Sequence, residues 1–422
     1  MSVAGNTFSV GDFKFELNRN GRVVVTGAGK AAGQMAIGLL DIVAQAGFDR
    51  DRISGWINVP DDGVCDASPL TVFGCRPAGE NLPTERAIEG TREIIRLVRG
   101  LEKDDLSLCL ISGGGSALLS MPVEGISLDD KRQLIRFLDS SGASIEDRNR
   151  IRRELSQVKG GRLAQMQTQG TMVTLLISDI LGDPGDLIAS GPTVPTDSDP
   201  VRAVELLNSL IWQNGGRDAV PRSVWAHLQQ RIQHPDLIEL CPQPNASQQI
   251  FTIGNIATAV DAAAIRSRAL GYQVETRIQS DPSESVTKAA TMFSEWILNP
   301  APGPRILIDG GEPVVRLCSN PGRGGRNQQL VLEVANRLIE ATCRQHEFCF
   351  LSGGTDGEDG NTPVAGASFD HELVQGWNQQ GVKPFPYLSR NDAYSFFERS
   401  RGLFLTGMTG TNVGDLRIAI VR

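Results

Sequence analysis

The chain of 422 residues is 40% hydrophobic and 21% charged, with a formal net charge of −8 and a pI near 5.2. That length favours two or three domains with sizeable cores, and the acidic balance argues against a general nucleic-acid surface. No apolar stretch approaches the roughly 20 residues a membrane-spanning helix needs. The N-terminus, MSVAGNTFSVGDFKFEL, is neither basic nor long and apolar. No signal peptide, no membrane partner and a cytoplasmic location are therefore expected.

The opening reads as strand, glycine turn, helix: VVVT, GAGKAA, then Gly33–Ala46 with apolar residues at helical spacing. A strand follows at Ile53–Pro60, an amphipathic helix at Thr84–Arg99 and a strand at Leu106–Ile111. Helices are predicted at Ser127–Ser140 and at Asn149–Gln167, the second interrupted by Gly160 and Gly161, then a strand at Met172–Ser178. This alternation predicts a mainly parallel α/β sheet. The stretch Gly182–Arg222, with five prolines, reads as loop-rich. A polar, Pro- and Gln-rich segment near 231–249 marks a domain boundary, giving domains at 1–240 and 250–422, with the last strand free to pack back on the first. A second alternation runs through a helix at Ile256–Leu270, a strand at Tyr272–Arg277, a helix at Pro282–Leu298, a strand at Arg305–Asp309, a helix at Gln328–Ala341 and a strand at Phe348–Ser352.

Six mainly apolar runs end in glycine-rich loops: GAGKAA (27–32), SGGGSALL (112–119), SDILGDPGDLIASGPT (178–193), DGGE (309–312), SGGTDGEDG (352–360) and TGMTGTN (406–412). KGGR (159–162) and GRGGRN (322–327) stand apart from strand ends. Glycine lets a backbone approach an anion closely, and its N–H groups then bind it. So many such loops point to a cleft for a phosphate-rich ligand.

GAGKAA matches GxGxxA, the dinucleotide turn, but the acidic residue expected about 20 positions on is not clear; Asn58 lies there. A P-loop fails, since Val24 and Ala31 stand where Gly and Ser or Thr belong. What remains is Gly29 and a lysine, Lys30, at a helix N-terminus, where the macrodipole repels a cation unless an anion lies between. Ser112, Gly113, Gly114, Gly115 and Ser116 suit anion binding by N–H and hydroxyl groups, and Leu118 excludes a GxSxG elbow. Asp179 and Asp183 have a spacing suited to Mg²⁺, which takes one or two carboxylates plus water and phosphate oxygens. Arg323 and Arg326 on a glycine loop suit a carboxylate or a transferring phosphoryl group. Asp356 is a candidate metal ligand or general base, whereas Glu358 and Asp359 read as a solvated acidic turn. Cys109 and Cys349 lie in apolar runs and read as buried free thiols; the only CxxH, 343–346, lacks a second ligand pair. His227, His234, His346 and His371 lie outside the glycine loops and read as surface residues, which lowers the prospects of a Ser–His triad.

Taken together and in order, GAGKAA, SGGGSALL, 149–164 with its KGGRLA, SDxxGDPxxxIASGPT, GGE, GRGGRNQ, GTDGxDG, 391–397 and TGxTGTN resemble the glycerate 2-kinase family, whose members are often labelled hydroxypyruvate reductases. The resemblance runs from about Gly21 to the C-terminus. It implies an ATP- and Mg²⁺-dependent kinase that converts D-glycerate to 2-phosphoglycerate. It also implies two domains, an N-terminal Rossmann-like parallel-sheet domain and a smaller C-terminal α/β domain of different topology, with the active site in the interdomain cleft. Lys30, Arg326 and Asp356 fall on the family's strongest catalytic positions, and Asp179 and Asp183 on its acidic motif. Gly29, the 112–116 loop, Arg323, Gly324, Gly325, Asn327 and Thr355 are the expected substrate and phosphate contacts. The chain departs from the family pattern at Glu80 and Thr84, in RELS (153–156), at Gln329 and at Pro363. The expected partners are D-glycerate and ATP, and a homodimer stays open. Three other readings stand beside this one: an NAD(P)H-dependent hydroxypyruvate reductase, a kinase of another short hydroxy acid, and a non-catalytic binder of a phosphorylated metabolite.

Overall fold

The computed structural model describes residues 1–77, 80–214, 217–234, 248–299, 303–341 and 347–422. Two compact units emerge, one comprising 1–177 and 183–253, the other 178–182 and 254–422. The boundary expected near 231–249 lies mostly outside the described residues.

The first unit opens with a small antiparallel sheet of β1 (Ser2–Ala4), β2 (Thr7–Val10) and β3 (Phe13–Glu16). Its main sheet comprises β4 (Val23–Ala28), β5 (Ile53–Pro60), β6 (Leu70–Arg76), β7 (Leu106–Ile111), β8 (Thr171–Ile177) and β9 (Gln248–Gly254). The order is β6-β5-β4-β7-β8-β9. β4 pairs in parallel with β5 and β7, β5 with β6, and β7 with β8. Every residue of β4 and β7 is buried, as expected of central parallel strands covered on both faces. Helices Ala32–Gln45 and Glu85–Arg99 follow β4 and β6. Thr84 starts the second, its hydroxyl accepting from the Ala87 N–H at 3.1 Å, and a capping box of Ser127 and Asp130 starts Leu128–Ser140.

Two local expectations need correction. The helix predicted over 149–167 is two pieces, Ile145–Glu154 and Arg162–Gln165. Ser144 caps the first, which ends at Glu154, and the left-handed Gly160 and Gly161 lead into the second. The proline-rich stretch after Gly182 holds a helix, Pro200–Asn214. Proline at a helix start costs no hydrogen bond. This helix and Arg222–Gln233 bury Leu207, Leu210 and Leu228 against Leu134, Leu138 and Ile151 in a helical core.

The second unit is built on β10 (Gln273–Ile278), β11 (Arg305–Gly311), β12 (Phe348–Gly354), β13 (Gly366–Asp370), β14 (Leu403–Phe404) and β15 (Asp415–Val421), in the order β10-β11-β15-β12-β13-β14. Only the β10–β11 pair is parallel; the other four are antiparallel. The last strand thus lies centrally in this sheet. Strand alternation divides the core. Ile306 and Ile308 meet Val260 and Ala264 of helix Ile256–Ala269. Leu307 packs with Phe293 and Leu330, from helices Val286–Leu298 and Arg326–Glu340.

A charged network is buried in this sheet. Arg417, with no exposed side chain, lies 3.1 Å from Asp309 and 3.7 Å from Glu284. Arg277 pairs with the same two carboxylates. Burial pushes the Asp309 carboxyl up to about 6 against the pull of Arg417 and Arg277. Losing one partner of such a group strands the others in low dielectric. Arg417→Met is expected to destabilise the fold by roughly 3–5 kcal/mol in urea unfolding, and Arg417→Met with Asp309→Asn should recover part of that loss.

Candidate functional site

In the first unit the GAGK and SGGGS turns are stitched together. The Lys30 N–H donates to the Gly113 carbonyl at 2.9 Å. The Ala31 N–H donates to the Ser112 hydroxyl at 3.0 Å, where helix Ala32–Gln45 has no cap of its own. A Cβ on Gly29 would stand 2.0 Å from that hydroxyl, so only glycine allows the approach. Ser112, Gly113 and Gly115 are buried, while Lys30, Gly114 and Ser116 are half-buried. Ser116 and Ser190 share a hydroxyl hydrogen bond at 2.8 Å, and Ser190 donates to Asn149. Below them Lys159 donates to the Ser116 carbonyl at 2.9 Å and the Ala189 carbonyl at 3.3 Å. Its burial, with the nearby charges of Lys131, Arg152 and Arg153, holds the ammonium well below the usual lysine range. Ala189 and Ser190 are both left-handed, with φ of +53° and +64°, a strained geometry that clusters at functional sites.

In the second unit the chemistry centres on Arg326, the first residue of helix Arg326–Glu340. Its guanidinium grips Asp415 with Nε at 2.5 Å and Nη2 at 2.9 Å. Nη2 also reaches Glu312 at 2.8 Å. Burial works to lower the Arg326 pKa, but the Asp415 and Glu312 carboxylates more than offset it and raise it. Removal from water pushes the Glu312 carboxyl up to about 7; Arg326 opposes this, while Asp415, Asp179 and Asp356 add to it. Asp356 is half-buried, its carboxylate accepting from the Glu358 N–H at 3.1 Å. Asp179 accepts from the Asn412 amide at 3.0 Å. Thr355 donates to the Gly414 carbonyl and accepts from the Val413 N–H.

Asp359 is no solvated turn residue. It is 2% exposed and accepts from the N–H groups of Asn327 and Gln328 at 3.0 and 2.8 Å. It caps the Arg326 helix from 32 residues away, where Gly325 offers no side chain. A Cβ on Gly325 would meet the Asp359 carboxylate at 2.1 Å. Burial raises this carboxyl to about 6 even though those hydrogen bonds favour its charged form. Asn327 is buried, its amide engaged by Asp359 and Ser352. Arg323 is exposed, its guanidinium 4.1 Å from the Tyr394 ring centre. The Gly324 N–H is held by Asn361.

Thus Arg326, Asp356, Asp179, Asn327 and Thr355 share the second unit, and Lys30, the 112–116 loop and Asp183 the first. Asp183 is left-handed at φ +53°. No cluster of three or more His, Cys, Asp or Glu able to hold a metal occurs among the described residues. His227 and His371 are half-buried rather than surface residues, as is the free thiol of Cys349, whereas Cys109 is fully buried; His346 lies outside the described residues.

A family model described as a domain of unknown function, DUF4147, matches residues 3–229, and one described as the MOFRL family matches 305–415. The D-glycerate 2-kinase of Thermotoga maritima is 35% identical over 407 residues, covering 95% of this chain and 91% of that protein. The glycerate kinase of Mus musculus is 34% identical, over 100% of this chain and 88% of its own length. The crystal structure of a Thermotoga maritima glycerate kinase superposes with a TM-score of 0.79 at 32% identity, covering 96% of this chain and 92% of that one. The chain belongs to the glycerate kinase family. Among the described residues no helix is long and apolar enough to cross a membrane.

The ion pairs of Arg326 add two carboxylates, Glu312 and Asp415, to the site residues expected from the sequence. Glu312 was visible as the last residue of DGGE. Asp415 lies 89 positions from its partner Arg326, and no local pattern joins them. The raised Glu312 carboxyl has a sign that can be checked. The stability tied to its protonated form is present below its unfolded value near 4.5 and is lost as pH rises through about 7. Glu312→Gln should flatten the fall of the urea midpoint across that window; an unchanged slope would assign the fall to other groups.

Proposed function

We propose that the chain transfers the γ-phosphoryl group of ATP to the C2 hydroxyl of D-glycerate, with Mg²⁺ present, giving 2-phosphoglycerate and ADP. The carrying observation is Arg326, oriented by Asp415 and Glu312, with the charges of the half-buried acids Asp356 and Asp179 acting on Glu312. Phosphoryl transfer needs chiefly positioning and charge neutralisation, with no covalent nucleophile. A guanidinium fixed at two of its nitrogens is ordered before substrate arrives.

Arg326 takes the transferring phosphoryl group or the glycerate carboxylate on its remaining edge. Asp356 orients the attacking hydroxyl and accepts its proton, which leaves as the oxygen–phosphorus bond forms and the bond to the β-phosphate oxygen breaks. Lys30 and the 112–116 loop bind phosphate oxygens, with Gly29 and Ser112 holding the turn open. Asp179 and Asp183 are the carboxylates assigned to Mg²⁺, which takes one or two carboxylates beside phosphate oxygens and neutralises their charge. Arg323 and Gly324 offer an exposed cation and backbone at the edge of the site; Gly325, Asn327 and Thr355 position the loops.

The reductase reading has only the GxGxxA turn as local support. Asn58, at the place of the ribose-binding acid, is buried, accepts from the Trp56 indole and donates to the Leu118 carbonyl. A binder without catalysis leaves the acids around Arg326 unexplained.

The deciding assay follows ADP release from ATP and Mg²⁺ with D-glycerate, L-glycerate or hydroxypyruvate, alongside NADH oxidation with hydroxypyruvate. ADP release with D-glycerate alone and 2-phosphoglycerate as product is the expected result; NADH oxidation without ADP release would sink the proposal. Lys30→Ala and Arg326→Ala should each lower turnover by about 10²–10³-fold, and near-normal turnover would remove the role assigned to that residue.

A further inference from the structure

Strand β6 ends irregularly. Its register with β5 runs Val59 to Gly74 and then Pro60 to Arg76, leaving Cys75 as an extra residue. Such a bulge bends the strand and re-aims the side chains that follow. Here the alternation breaks, and Cys75 and Arg76 are both buried, at 0% and 1% exposure. A charged side chain is turned inward at the C-terminal end of a parallel strand, where open α/β sheets bind ligands.

The inward direction leads to one glycine of the SGGGS loop. A Cβ on Gly114 would stand 3.5 Å from Arg76 Nη2 and 3.2 Å from Lys30 Cγ. Two cations from different strand ends thus converge on the same residue. Gly114 is half-buried and left-handed at φ +78°, and a side chain there would lie in contact with the buried guanidinium.

We infer that Arg76 is the second cation of the phosphate cradle formed by Lys30 and the 112–116 loop, contributing charge and hydrogen-bonding edge to the polyphosphate of the nucleotide. This rests on the reading of that loop as the phosphate site. A guanidinium fork matches phosphate oxygens in a way an ammonium cannot. Lys30 supplies a point charge and Arg76 a directional one.

Calorimetric titration with inorganic tripolyphosphate tests the inference without requiring turnover. Arg76→Gln is expected to weaken binding about 10-fold or more, with Arg76→Lys in between, and to raise the KM for ATP more than it lowers kcat. Unchanged binding by a folded Arg76→Gln, with binding lost in Lys30→Ala, overturns the inference alone. Unchanged binding in both variants overturns the phosphate reading of the loop and the inference with it. Should Arg76→Gln fail to fold, wild-type crystals soaked in tungstate decide: an anion at Gly114 within ion-pair distance of Arg76 supports the role, and an anion held by Lys30 alone overturns it.

Discussion

Each unit presents its main cation from a helix start that is capped from a distance. Ser112 accepts the N–H of Ala31, and Asp359 accepts those of Asn327 and Gln328. Neither helix has a cap of its own. In both, a glycine makes the approach possible, since a Cβ on Gly29 or Gly325 would lie 2.0 or 2.1 Å from the capping oxygen. A lysine or arginine at a helix N-terminus faces the positive end of the dipole. The remote caps satisfy orphan N–H groups there and tie the cation's backbone to a neighbouring strand's loop.

From this constraint the geometry around Arg326 follows. With its backbone fixed by Asp359, the side chain reaches Asp415 and Glu312 at ion-pair distance. The cluster is rich in negative charge: Asp415, Glu312 and Asp359 bear on the guanidinium, and Asp415, Asp179 and Asp356 on the Glu312 carboxyl. Lys159 does the corresponding structural work in the first unit, tying Ser116 to the strained 189–190 turn.

Strands β4, β7 and β8 are legible because mainly apolar runs ending in glycine-rich loops are a strong pattern, and Thr84, Ser127 and Ser285 carry N-cap chemistry at their helix starts. β6 was missed because its bulge breaks period-two alternation and its neighbours Gly74 and Pro77 read as loop. With β6 went Arg76. The helix from Pro200 is hidden in the sequence because proline marks loops in most positions, although at the first turn it is compatible with helix. The solvated reading of Asp359 failed for a different reason: acidic residues among glycines are usually exposed, and only the fold brings a helix terminus onto this one.

The sequence by itself determined the α/β character, the order of the glycine loops and the family, because these depend on local periodicity and on residue types at fixed spacing. It also singled out Lys30, Arg326, Asp356 and Asp179, each lying in a local motif. The tertiary structure decided what faces them. The antiparallel insertion of β15 between β11 and β12 carries Asp415 to Arg326, and the bulge in β6 turns Arg76 toward Gly114. Such pairings join residues tens of positions apart, and electrostatic partnership depends on distance in space, which sequence separation does not encode.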